Sequence, residues 1–209
     1  MNRGDRNVTV LLLGCLLAAG AAMTQGGEPA AADTALEVVS SASTRYYEID
    51  GDSSDELWHA LAGGANPLAA GQAAGQRHLG DSRLDYSYSF ESARDRSAGY
   101  CRVSSARIEI HYTTLLPALA DEWSKPERLR RQWQALQAIV SEHESGHVAI
   151  YRGLERDIPA AIAALGPTPC DRLAAAVDVA VHNTAASAQL ASVRYDATTT
   201  AALQVASSN

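Results

Sequence analysis

From Leu129 to Ile158 the inward-facing positions recur at steps of four and three residues without a break: Leu129, Trp133, Leu136, Val140, His143, His147, Ile150, Leu154 and Ile158. Steps of four and three return to one face of an α-helix, so the stretch predicts one long helix burying a single stripe. No other feature of the 209-residue chain constrains its fold as tightly. Ser124-Lys125-Pro126-Glu127 reads as the helix start, a capping box with Pro at the first helical position. Pro159 ends or kinks the helix.

Two consecutive positions of the stripe hold histidine, and the residues between them complete His143-Glu144-Ser145-Gly146-His147. This is H-E-x-x-H, the spacing that puts two imidazoles on one helical turn with a carboxylate beside them. Residues four apart have Cβ atoms about 5–6 Å apart on one face, close enough for both rings to reach one ion at about 2.0–2.1 Å. Two adjacent imidazoles buried without partners would cost roughly 1–3 kcal/mol each. A metal removes that cost, and so do hydrogen bonds to neighbouring groups. Glu144 lies about 100° round the helix from His143, where a carboxylate can take a proton from a water on the metal. Gly146 keeps a side chain from crowding the space between the ligands.

The first half has a different period. Leu84, Tyr86, Tyr88 and Phe90 alternate with polar residues, as do Val103 and then Ile108, Ile110 and Tyr112. Period two marks half-buried strands, and the polar "ARDRSAGY" between the runs suggests an antiparallel pair. "ALEVVSSASTRYYEIDG" reads as one or two further strands, and "DSSDELWHALAGGANP" as a short helix around Leu57 and Leu61 stopped by Gly63-Gly64. Gly- and Ala-rich "AAGQAAGQRHLGDS" reads as a loop. After "GPTP", Cys170 opens a second, alanine-rich helix running to about Leu190, followed by a polar tail. The fold class is therefore α+β: a small antiparallel sheet in the first half, then the H-E-x-x-H helix and a second helix.

The start of the chain has the form of a secretory signal, with Arg3 and Arg6 ahead of an uncharged run from Val8 to Met23. The run is too short for a good membrane span. Residues 1–23 are expected to be removed and 24–35 to form a flexible leader. A single domain then covers 36–203, with a tail at 204–209. Leu12-Leu13-Gly14-Cys15 also resembles a lipoprotein box, which would leave Cys15 as a lipid anchor. Setting aside Arg3, Arg6 and Asp5 leaves 15 basic against 23 acidic residues and no basic cluster, which argues against a nucleic-acid partner. Export also bears on Cys101 and Cys170. An even pair in an oxidising compartment reads most simply as a disulfide, two free buried thiols being the alternative.

These residues resemble the bacterial predicted secreted Zn-dependent proteases, a family catalogued as a domain of unknown function. The similarity runs from about Thr44 to about Thr200. It includes "CRVSSARIEIHYTTLLP", the helix carrying "HESGH", the second cysteine at Cys170, and "YDATTT" at Tyr195–Thr200. The resemblance implies a zincin-like α+β fold, zinc as cofactor, a peptide or protein substrate, and a secreted or periplasmic location. Members tend to follow Tyr-Asp-x-x-Thr with x-His-Gly, whereas this chain has Thr200-Ala201-Ala202.

A catalytic zinc normally takes three protein ligands. Glu155 lies eight residues past His147, about 12 Å along the helix axis, and cannot bend back, so the third ligand comes from another segment. Asp196 is the first candidate, with Tyr195 as a donor to an oxyanion; the competing reading has Asp196 capping a turn and Tyr195 packed. His182 is the second, with Asp178 one turn earlier, against a surface Asp–His pair. His111 faces either the polar side of the sheet or the cleft, while His59 and His78 read as surface or loop residues. Trp133 reads as core, and Tyr151 as core or pocket wall. The functional expectation is a zinc metallopeptidase using His143, His147 and Asp196 as ligands and Glu144 and Tyr195 in catalysis. The alternative is a catalytically inactive, zincin-derived envelope binding or structural module, motivated by Ala201.

Overall fold

The computed structural model describes residues 34–63, 67, 78–96 and 99–206, without the side chains of 200–206. The chain divides into two units, Met1–Ala31 and Ala32–Asn209, and all described residues belong to the second. The expected signal, Cys15 and nearly all of the expected leader lie outside the described residues, as does most of the expected loop at 69–82.

Three long strands form the sheet: β1 (Ala35–Ile49), β2 (Asp81–Arg94) and β3 (Tyr100–Leu119), in the order β1-β3-β2, with the short β4 (Thr168–Pro169) paired to the start of β3. β2 and β3 form the expected antiparallel pair. β1, however, runs parallel to β3, from Ala35 opposite Ser105 to Ile49 opposite Leu119. The sheet is therefore mixed, not antiparallel throughout. Alternation says which face a side chain takes but nothing of strand direction. β3 is the longest and most apolar strand and takes the centre, leaving the serine-rich β1 at an edge.

A bulge in β3 makes its inner face continuous. Glu91 pairs with Ser105 and Ser92 with Val103, so Ser104 is the extra residue. The skip changes parity, and Cys101 and Val103 point the same way as Ala106, Ile108, Ile110 and Tyr112. That face packs against Tyr151, Leu154, Ile158 and Ile162 and against Leu173, Val177 and Val181. Leu84, Tyr86, Tyr88 and Phe90 of β2 are half-buried against the same cluster, as their alternation requires. A second cluster gathers Tyr47, Ile49, Leu119, Leu129 and Trp133 around Leu57 and Leu61 of α1 (Ser54–Ala62). Ser53 caps α1 by accepting from the Glu56 N–H, and Gly63 closes it.

The apolar stripe is divided between two helices, α2 (Glu127–Arg152) and α3 (Leu154–Ala163), so the single long helix is not formed. The division falls at Gly153, a weak helix former, whose N–H bonds to Ile150 three residues back. Pro159 lies within α3 and does not end it. Leu154 and Ile158 remain buried, so the stripe survives the break. The capping box is absent too: Ser124 ends a 3-10 turn and donates to the Asp121 carbonyl, and Pro126 precedes the first helical residue.

Cys101 and Cys170 form a disulfide. It joins the start of β3 to the segment ahead of α4 (Leu173–Ala206), which begins three residues after Cys170. α4 runs well past Leu190 and takes in the Tyr195-Asp196 element and part of the expected tail. Thr198 and Thr199, poor helix formers, bond back to the Arg194 and Tyr195 carbonyls. Among the described residues no helix is long and apolar enough to cross a membrane. Closing a 69-residue separation is expected to contribute about 2–4 kcal/mol. Urea unfolding of oxidised and reduced protein measures it, and coincident curves would deny the bond that role.

Candidate metal centre

α2 presents His143, Glu144 and His147 because its stripe must face inward. Glu144 and His147 are buried at 4% and 6% exposure. α4 packs across this turn with a second patterned face. Its inward positions are apolar at Leu173, Val177, Val181 and Ala185, then become polar at Ser192, Tyr195, Asp196 and Thr199. The last four are spaced i, i+3, i+4 and i+7, one side of a helix.

Three atoms meet where the helices touch. Asp196 Oδ1 lies 3.2 Å from His143 Nε2 and 2.9 Å from His147 Nε2, and the two Nε2 atoms are 3.2 Å apart. Four ligands arranged tetrahedrally at 2.0–2.1 Å from zinc stand about 3.3 Å from one another. The observed triangle has nearly that edge. His143, His147 and Asp196 are also the residues whose donor atoms group closely enough to hold a metal ion among the described residues. Three such atoms attract one another only through a shared proton or a cation.

The Tyr195 ring stacks on His143 at 5.3 Å and meets His147 edge-on at 5.0 Å. Its hydroxyl lies against Gly146, where an added Cβ would stand 2.2 Å from the oxygen. Gly146 is thus what lets the Tyr195 ring lie this close to α2. By helix geometry it lies on the opposite side of His143 from Glu144.

Glu144 is enclosed from the other direction by the start of β2. Ser82 Oγ donates to Glu144 Oε2 at 2.8 Å. A Cβ on Gly80 would come within 2.7 Å of Glu144 Oε1. Burial pushes the Glu144 carboxyl up to about 7; the Ser82 hydrogen bond opposes the rise, and the charges of Asp81 and Asp196 add to it. Burial also holds the His143 ring below the usual imidazole range, assisted by His147 and His78 and opposed by Asp196. The neutral imidazole that a metal needs is therefore the favoured form.

The remaining expectations separate cleanly. Asp196 caps no turn: it lies within α4, at the two histidines. His182 is exposed, its ring against Tyr86 and Tyr88 and its Nδ1 on the Asp178 carbonyl. Fourteen residues separate it from Asp196, about 21 Å of helix, so it cannot share their ion. His111 is held between Ser41 and Ser43 on β1. His59 is exposed on α1. His78 is exposed but near enough to act on His143. Trp133 is core, and Tyr151 is buried with its hydroxyl on Ser192 and Gln189. Sequence reasoning missed Ser192, Thr199, Gly80 and Ser82. The first two share the spacing of Tyr195 and Asp196, a signal hidden by ending the helix near Leu190. Nothing local marked the other two, which reach Glu144 only through the fold.

Residues 44–202 match the family described as "Bacterial protein of unknown function (DUF922)", and the chain belongs to it. No curated protein and no solved structure matches the chain.

A carboxyl that holds its proton more tightly when folded loses stability as pH rises from its unfolded value near 4.5 toward about 7. Metal-free Glu144→Gln is therefore expected to exceed the wild type in stability by roughly 1–3 kcal/mol at pH 8. The difference should vanish near pH 4.5. Urea unfolding in chelator at the two pH values checks the sign.

Proposed function

We propose that the protein is a zinc-dependent metallopeptidase in which His143, His147 and Asp196 hold the ion and Glu144 activates water. The observation that carries this reading is the triangle of two Nε2 atoms and one carboxylate oxygen, with edges of 2.9–3.2 Å, beside a buried glutamate. Two imidazoles and a carboxylate are a donor set that zinc accepts, and three protein ligands leave one of four positions open. Zinc supplies a Lewis acid that brings the ionisation of water down toward pH ~7 and polarises a carbonyl.

The protein's own groups do the rest. Glu144, whose carboxyl burial pushes up to about 7 in the metal-free protein, lies beside the ligands and can both accept a proton and return it. It takes the proton of the attacking water as the water oxygen bonds to the peptide carbonyl carbon. It then delivers that proton to the departing amine as the C–N bond breaks. Ser82 keeps the carboxylate turned to one rotamer, and Gly80 leaves room for it. Tyr195, on the other side of the histidine pair, is assigned to donate a hydrogen bond to the carbonyl oxygen. The disulfide supports a location outside the reducing cytosol, either secreted or periplasmic.

The reading as an inactive binding module drew its force from Ala201. Convergence of three donors from among the described residues favours the hydrolytic reading.

Glu144→Gln is expected to lower peptide hydrolysis by about 10²- to 10⁴-fold while zinc per chain stays unchanged. A fluorogenic peptide library and elemental analysis of the same samples measure both. Undiminished turnover in the variant would remove Glu144 from the chemistry.

A further inference from the structure

The far nitrogens of the two histidines are both held by hydroxyls from α4. Ser192 Oγ is 2.8 Å from His147 Nδ1, and Thr199 Oγ1 is 3.1 Å from His143 Nδ1. The other partner of Thr199 gives its bond a direction. Thr199 has one proton and donates it to the Tyr195 carbonyl at 2.8 Å, so toward His143 its oxygen accepts. Ser192 receives the Tyr151 hydroxyl at 3.0 Å and keeps both a lone pair and its own proton for His147 Nδ1. A cation on Nε2 selects the direction in which Ser192 accepts. A ring protonated at Nδ1 carries its lone pair on Nε2, the atom turned toward Asp196 in both histidines.

We propose that Ser192 and Thr199 are positioning residues of the metal centre: Thr199 fixes His143 as the Nδ1–H tautomer, Ser192 accepts from His147 Nδ1 once a divalent cation is bound, and both Nε2 lone pairs are thereby aimed at that cation. This rests on the metal reading above and extends it. α4 supplies one ligand and also orients the two ligands that α2 supplies. Partners of this kind set ring orientation and ligand basicity, and their removal typically weakens metal binding 10- to 100-fold. Burial favours the same role. Ser192 is 4% exposed, where an alanine would pack equally well and lack only the hydroxyl.

The test uses the full chain and zinc alone. Zinc affinity is measured by competition with a chromogenic chelator for the wild type, Ser192→Ala, Thr199→Val and Thr199→Ser. A loss of about 10- to 100-fold is expected in Ser192→Ala and Thr199→Val, with affinity restored in Thr199→Ser. Long-range ¹⁵N–¹H spectra of the zinc-loaded wild type, which need no variant to fold, are expected to show both rings protonated at Nδ1. If the wild type binds zinc while both variants bind it equally well, or if either ring is protonated at Nε2, this inference is overturned and the metal reading stands. A wild type that binds no zinc would overturn both.

Discussion

The packing of α4 on α2 is the contact on which the rest of the site depends. At Gly146 the absence of a side chain lets the Tyr195 hydroxyl settle against the helix backbone. From that approach follow the stacking of Tyr195 on His143 and the meeting of Asp196 with both imidazoles. The sheet fixes where the helices lie, because the bulge at Ser104 keeps the inner face of β3 apolar from Cys101 to Tyr112. The disulfide ties the segment ahead of α4 to that same strand. One helix face therefore begins as core at Leu173 and ends as a polar site at Thr199.

The centre works against the stability of the fold that holds it. Two imidazoles, a carboxylate and a second, buried carboxyl lie where apolar side chains would pack better. The shifts at Glu144 and His143 both favour neutral forms, the direction that desolvation imposes. A dication would reverse part of that penalty by attracting the charged carboxylates. Binding and folding would then be coupled, since the ligands come from two helices that only tertiary packing brings together.

Much of this was legible before any coordinates. The stripe from Leu129 to Ile158 placed His143 and His147 on the inward face, and alternation in β2 and β3 gave the hairpin and its buried side. The readings that failed did so for definable reasons. Alternation carries no strand direction, so the parallel pairing of β1 was invisible. Gly153 keeps helical backbone angles where α2 passes into α3, so periodicity alone ran two helices together. The β-branched residues at the end of α4 suggested a polar tail, whereas packing on α2 and back-bonded hydroxyls keep them helical. That last error concealed the spacing that joins Ser192, Tyr195, Asp196 and Thr199. Gly80 and Ser82 had no local signature because their partner, Glu144, lies more than sixty residues away.

The most direct measurement is anomalous diffraction at the zinc absorption edge from crystals of the zinc-loaded protein. The account predicts one peak per chain, about 2.0–2.2 Å from His143 Nε2, His147 Nε2 and one Asp196 oxygen. A peak elsewhere, or none between α2 and α4 at saturating zinc, would contradict it.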